Sequence, residues 1–275
     1  MQNLLINNII NLAILEDIGN GDITSILTIP EDLKVKAHII AKERFILAGM
    51  PFVKGVFNTI DGEIKINVFH EEGALLESGD IIAEVSGRAR EILAAERIAL
   101  NILQRISGIA SLTNSYINKV KELPVKIADT RKTTPGMRFM EKYGVKIGGG
   151  INHRFGLDDG ILIKDNHIKI VGSIKKAVEL AKRSHHLLKV EVEVKNLLEF
   201  NEALESGADV IMLDNMSLED IREAVRIAKG KVLIEASGNV TLDNVVSIAE
   251  TGVDIISIGS LTHSARAVDI SMKII

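Results

Sequence analysis

Apolar and polar positions follow two rhythms along this chain. Near its start, Leu4, Leu5, Ile9, Leu12 and Ala13 recur every three or four residues, which predicts a helix over residues 3–16. Gly19, Asn20 and Gly21 break it. Residues 34–48 (KVKAHIIAKERFILA) and 63–69 (EIKINVF) have the texture of strands, and residues 73–87 that of a turn-rich strand pair. Residues 89–109, rich in Ala, Leu, Glu and Arg, predict a long helix. After Leu123 the rhythm changes. Short apolar runs at 125–130, 160–166, 189–194, 209–215, 231–237 and 254–260 alternate with helical patterns, among them 173–184, 196–206, 217–229 and 241–251. Val/Ile-rich runs separated by helices are the pattern of parallel strands covered on both faces. Six such runs predict an α/β barrel rather than an open sheet.

Each run ends in polar residues: Asp129, Lys164 with Asp165, Glu193, Asp214, Glu235 with Ser237, and Ser257 with Gly259. In a barrel the C-terminal strand ends build the active site, so one face is expected to collect acids, a lysine and small turns. Strand alternation puts Glu191 and Glu193 on the same side and Val192 on the other. The densest stretch is 129–167, where Arg131, Lys132, Arg138, Lys142, Lys146, His153 and Arg154 precede Lys164. So many cations in one loop repel each other unless they face solvent or bind anions. Arg offers a planar fork to carboxylate and phosphate, and Lys a point charge. Gly148, Gly149 and Gly150 let backbone approach a ligand. A pocket for a small polyanion is the sharper reading, and a solvated surface loop the plainer one. Glu193 and Asp214, at neighbouring strand tips, suit Mg²⁺, which takes one or two carboxylates with phosphate and water. Their alternative is simple pairing with nearby lysines. The turns Ser237-Gly238-Asn239 and Ser257-Ile258-Gly259 lie on the last two strands, where backbone N–H groups of barrels hold phosphate.

Composition narrows the class. Apolar residues make up 46% of the 275 and charged residues 25%, ordinary for a soluble globular protein. Without cysteine there is no disulfide, thiolate metal site or cysteine nucleophile, which fits a cytoplasmic protein. A net charge of −4 with no long basic run leaves no nucleic-acid footprint. No apolar stretch approaches the ~20 residues that span a bilayer, and the N-terminus lacks the basic region of a signal peptide. His70, His185, His186 and His263 are expected at the surface. Neither a Ser-His-Asp order nor an HExxH pattern occurs.

The stretch DTRKTTPGMRFMEKYGVKIGGGINHRFGLDDGILIKDNHI closely resembles the core of the quinolinate phosphoribosyltransferase family. EDIGNGDITS, AERIALNILQRISGIAS, LDNM, EASGNV and SIGSLTHSARAVDISM resemble the same family in the same order, from about Glu16 to Met272. The resemblance implies an N-terminal α/β sandwich, residues 1–103 joined by a tail at 269–275, and an incomplete α/β barrel of fewer than eight strands at 104–268. It implies transfer of a phosphoribosyl group from phosphoribosyl pyrophosphate to quinolinate with Mg²⁺ and loss of CO₂. It also implies a homodimer or larger homo-oligomer in which Arg97 reaches a neighbour's site. Arg131, His153, Arg154 and Lys164, with Arg97, resemble the quinolinate-binding set, and Thr130 and Lys132 flank Arg131. Lys132, Glu193 and Asp214 carry the catalytic roles by resemblance. Lys132 points toward pyrophosphate, while the two acids hold ribose hydroxyls and metal, directly or through water. Ser237, Gly238, Asn239, Ser257, Ile258 and Gly259 resemble the 5′-phosphate loops. The rival readings are a same-fold paralogue acting on another anion, a non-catalytic barrel binding a phosphorylated metabolite, and a Schiff-base aldolase using Lys164.

Overall fold

The structure is a computed structural model that describes residues 2–184 and 186–275, with side chains from residue 5 onward. The expectation for His185 lies outside the described residues, and His186 is exposed. In chain order the elements are α1 (Gln2–Asp17), α2 (Ile23–Thr28), β1 (Lys34–Ala41), β2 (Phe45–Ile46), α3 (Met50–Ile60), β3 (Lys65–Val68), β4 (Leu75–Leu76), β5 (Ile81–Arg88) and α4 (Ala89–Val120). There follow β6 (Lys126–Ala128), α5 (Arg138–Ile147), β7 (Ile161–Ile163), α6 (Asp165–Val171), α7 (Ile174–Ala181), β8 (Val190–Val194), α8 (Leu197–Glu205) and β9 (Val210–Asp214). The chain closes with α9 (Leu218–Ala228), β10 (Leu233–Ser237), α10 (Val245–Ala249), β11 (Ile255–Ser257), α11 (Ser260–His263) and β12 (Ile270–Ile274).

Two compact units result. One takes residues through Asn114 with Thr133–Gly149 and Leu261–Ile275, and the other takes Ser115–Lys132 with Gly150–Ser260. Against the expected division at 103/104, the segment carrying α5 and the residues from Leu261 go with the first unit. In that unit an antiparallel sheet has the order β12-β1-β5-β3. Its buried face, with Ala37, Ile39 and Val85, meets Val53, Val56 and Phe57 of α3 and Ile92, Leu103 and Ile106 of α4 in one core. Helix α3 went unread in the sequence. A left-handed Gly49 precedes it and Pro51 opens it, a favourable start.

Helix α4 runs well past the expected end at residue 109. Gly108 sits inside the helix where the C-terminal segment crosses it. A Cβ there would lie 2.0 Å from the Arg266 carbonyl oxygen. Arg105, one turn earlier, donates to Ala265 O at 2.7 Å and to Thr262 O.

Helix α5 corrects the expectation of a cationic loop across 129–154. Arg138, Lys142 and Lys146 ride on this helix, with Lys142 only 2% exposed and Arg138 Nε donating to Thr133 Oγ1 at 3.0 Å. Buried Glu141 anchors the helix. It accepts from Arg105 Nη2 at 2.9 Å, Thr134 N at 3.0 Å and Thr134 Oγ1 at 2.8 Å. Gly148 likewise serves packing, since a Cβ there would lie 2.4 Å from the Ala110 carbonyl oxygen of α4. His70 is half-buried, and His263 is exposed with Nδ1 2.6 Å from Ser264 Oγ.

The second unit is built on a parallel sheet ordered β6-β11-β10-β9-β8-β7. Its six strands are the six runs read from the sequence, shorter at most ends, and they form an incomplete α/β barrel. Val192, Ile211, Ile234 and Ile256 are fully or nearly fully buried. The alternate residues of β8, β9 and β10 share the opposite face: Glu193 pairs in register with Met212 and Met212 with Glu235, while Asp214 pairs with Ser237 and Ser237 with Ser257.

Gly108→Ala should lower stability despite the better helix propensity of alanine. The propensity gain is about 1 kcal/mol, and forcing a methyl into backbone costs about 1–3 kcal/mol in a packed interior, more where nothing flexible can yield. Thermal unfolding of the two proteins tests this, and a higher Tm for the variant would refute it.

Candidate active site

The loop after β6 and the loop before β7 are tied together at the barrel mouth. Asp129, fully buried, donates its backbone N–H to Ile151 O at 3.1 Å and accepts the His153 N–H on Oδ1 at 2.8 Å. These ties bring Arg131 and Arg154 close. Burial first, and the Arg131 guanidinium next, pull the Arg154 pKa below its ordinary value, while Glu191 opposes them. Arg154 Nη1 donates to Gly160 O at 2.8 Å, and Arg131 Nε is buried without a hydrogen-bond partner. Neither guanidinium forms an ion pair among the described residues. Two adjacent cations without an ion-pair partner suit a ligand that brings two negative charges. Thr130 Oγ1 accepts the Lys132 N–H at 3.1 Å, and the Lys132 side chain is exposed.

Lys164, just past β7, forms a close ion pair with Glu193 of β8. Beyond them, Lys195 pairs with Asp165 at 2.8 Å. An ion-paired, 44%-exposed Lys164 is not the desolvated lysine that Schiff-base chemistry needs, so the aldolase reading loses its nucleophile. The pair leaves Lys164 with further N–H donors that are accessible, and Glu193 offsets part of its charge. Asp214, ending β9, accepts from Asn215 Nδ2 at 3.0 Å and adds negative charge near Lys195. Both acids offer carboxylate oxygens, the donor type a hard divalent cation takes.

Asn215, which sequence reasoning did not single out, builds the turn beside the phosphate-loop candidates. It adopts a left-handed φ of 54°, and its backbone N–H donates to Ser237 O at 2.9 Å. Its side-chain oxygen accepts from Asn239 Nδ2 at 2.8 Å. Gly238 has φ +94°, and a Cβ on it would lie 2.3 Å from Asn215 Oδ1, so only glycine lets the two turns interlock. The Ile258 N–H donates to Ala128 O at 2.9 Å and extends the β11–β6 pairing, which commits that amide to the barrel. Ser257 is buried. Arg97 belongs to the first unit, on α4, and its side chain is exposed.

Glu191 and Glu235 were not among the expected site residues, although alternation from Glu193 and the position of Glu235 near a strand end were visible. They are 8% and 2% exposed. His153 Nε2 lies 3.1 Å from Glu191 Oε2 and 3.7 Å from Glu235 Oε2. One donor atom from each of the three falls within 4.8 Å of the others. Burial, and then the charge of Glu191, push the Glu235 pKa up to about 7.

Comparison with known proteins bears on this site. Residues 22–107 match the family described as "Quinolinate phosphoribosyl transferase, N-terminal domain", and residues 109–273 the corresponding C-terminal domain. A Bacillus subtilis relative, named probable nicotinate-nucleotide pyrophosphorylase (carboxylating), is 42% identical over 275 residues, covering 100% of this chain and 95% of its own. A Methanocaldococcus jannaschii relative of the same name is 46% identical over 269 residues, covering 94% of this chain and 93% of its own. The solved nicotinate-nucleotide pyrophosphorylase of Francisella tularensis superposes with a TM-score of 0.95 at 44% identity, covering 99% of this chain and 97% of its own.

The raised Glu235 pKa makes stability depend on pH. The folded state holds this proton up to about pH 7, whereas the unfolded carboxyl releases it near its ordinary 4.5. Stability from this group is therefore full below pH 4.5 and is lost as pH rises through 7. The loss is on the order of 1.4 kcal/mol for each tenfold difference in proton affinity between the two states. Glu235→Gln should be more stable than the parent at pH 8, with the difference shrinking toward pH 5. Urea unfolding at both pH values measures this, and an equal gain at both would contradict the buried, protonated acid.

Proposed function

The chain belongs to the quinolinate phosphoribosyltransferase family, and we propose that it joins quinolinate to phosphoribosyl pyrophosphate, releasing pyrophosphate and CO₂ and giving nicotinate mononucleotide for NAD biosynthesis. The observation that carries the substrate assignment is the pair of guanidiniums, Arg131 beside Arg154, neither of which forms an ion pair among the described residues. Quinolinate brings two carboxylates on adjacent ring carbons, which answer two adjacent forks better than the single carboxylate of nicotinate does. Lys164 adds a third cation once Glu193 turns away from it.

The transfer breaks the bond from C1′ to pyrophosphate and forms one from C1′ to the ring nitrogen. The ribose carbon becomes cationic as the leaving group departs, and Glu193 and Asp214 supply negative charge on that side. Lys132 supplies positive charge toward the pyrophosphate. Mg²⁺, held by Glu193 and Asp214 directly or through water, would neutralise phosphate charge when bound. The turns at Ser237, Gly238 and Asn239 and at Ser257, Ile258 and Gly259 cradle the 5′-phosphate. Catalysis is then positioning and electrostatics, with no covalent enzyme intermediate. The C2 carboxylate leaves as CO₂, its electron pair remains on C2 beside the quaternary nitrogen, and a proton takes its place.

The working enzyme is at least a homodimer in the cytoplasm, with Arg97 completing the quinolinate site of a neighbouring subunit. The exposure of Arg97 supports the sharing, and among the described residues no helix is long and apolar enough to cross a membrane.

A Mg²⁺-dependent assay with phosphoribosyl pyrophosphate should turn over quinolinate with CO₂ release and leave nicotinate untouched. Turnover of nicotinate, or none of quinolinate by folded protein, would overturn the assignment. Arg131→Ala should weaken quinolinate by on the order of a hundredfold, about 2.7 kcal/mol for a charge-assisted contact of this kind. It should leave phosphoribosyl pyrophosphate within about threefold, and equal losses in calorimetric titrations would remove Arg131 from the quinolinate set.

A further inference from the structure

The His153 ring has one nitrogen that acts as an acceptor. Its Nδ1 accepts the Arg154 backbone N–H at 2.9 Å. A ring nitrogen that accepts carries no proton, so the network assigns the single ring proton to Nε2. That nitrogen points at Glu191 Oε2, 3.1 Å away, with Glu235 Oε2 at 3.7 Å. Both ring nitrogens are thus committed inside the protein, and the residue's backbone N–H goes to Asp129. Residues on β8 and β10 face the His153 ring, and the residue after β6 holds its backbone, so three segments converge on the one residue that precedes Arg154.

The acids need an explanation of their own. Glu191 and Glu235 stand on the strand face where Val or Ile would cost nothing, and each keeps one oxygen, Oε1, buried without a hydrogen-bond partner. Burying carboxylates this way is unfavourable unless another requirement outweighs it. The requirement lies one residue away, where Arg154 must be held against the repulsion of Arg131 before any ligand arrives.

Building on the proposed function, we propose that Glu191 and Glu235 are positioning residues that act through a neutral His153 to fix Arg154 beside Arg131, and that His153 carries no charge to the substrate. This changes the role that family resemblance gives His153, from a member of the cationic set to a strut behind it.

Simple electrostatics and positioning predict opposite signs for one substitution. If Glu191 were only an anion near an anion site, Glu191→Ala would tighten quinolinate. If it positions Arg154 through His153, the variant should weaken quinolinate by on the order of tenfold while phosphoribosyl pyrophosphate stays within about twofold. Glu191→Gln, which keeps an acceptor for Nε2–H, should recover most of the loss. Long-range ¹H–¹⁵N NMR of the full-length parent near pH 7.5, with the His153 signals assigned by their loss in His153→Gln, should show a neutral Nε2–H ring. It should stay so when an aromatic 1,2-dicarboxylate lacking the ring nitrogen is added. An imidazolium, an Nδ1–H ring, tighter binding by Glu191→Ala, or a stoichiometric metal ion coordinated through Nε2 would each overturn the proposal. The NMR arm needs no turnover, so a failed assay with quinolinate leaves its result readable.

Discussion

A parallel strand packed on both faces has no solvent in which to leave a charge, so every ionised side chain on it must be held by a partner or retain a proton. The barrel mouth is organised by that constraint. On β8 and β10 it is met by burying Glu191 and Glu235 around one imidazole and by letting Glu235 keep its proton up to about pH 7. At the outer end of β8 it is met by Lys164, which neutralises Glu193. The two guanidiniums between the loops form no ion pair among the described residues, and a ligand with two negative charges would complete them.

The same constraint explains why the site is preformed. Buried acids lock His153, His153 orders the backbone entering Arg154, and Asp129 ties that loop to the one bearing Arg131. Three strands therefore share the work of holding two like charges together. Such electrostatic preorganisation spares a reorganisation cost when substrate arrives. At the turn after β10, backbone rather than charge sets the geometry: left-handed Asn215, Gly238 and Asn239 interlock through one side-chain amide. Lys164, just past β7, and Glu193 of β8 join these neighbouring strand ends through their ion pair.

Six parallel strands, their polar C-terminal ends and the acid alternation in VEVEV were legible in the chain, as were Arg131, Arg154, Lys164, Glu193 and Asp214 as charged groups of one face. These are consequences of local periodicity. A run of Val and Ile with a charge at its end carries the same meaning wherever it lies, because strand alternation acts on neighbours two residues apart. The readings that failed were those in which a local signal was spent on a distant partner. Gly148 resembled part of a ligand loop because glycine is permissive, yet it makes room for the backbone of α4, as Gly108 does for the C-terminal segment. Lys142 and Arg138 added to a cationic loop on paper, but α5 forms because its other side reaches the core at Met140 while Arg105 closes on Glu141. His153 could be recognised as a site residue, but its charge state depends on Glu191, Glu235 and the Arg154 amide together. The amino-acid sequence alone determined which strands form and which chemistry lies at their tips. Only the closed tertiary structure decided which charges meet, because partners on β6, β8 and β10 are set side by side by sheet order rather than by distance along the chain.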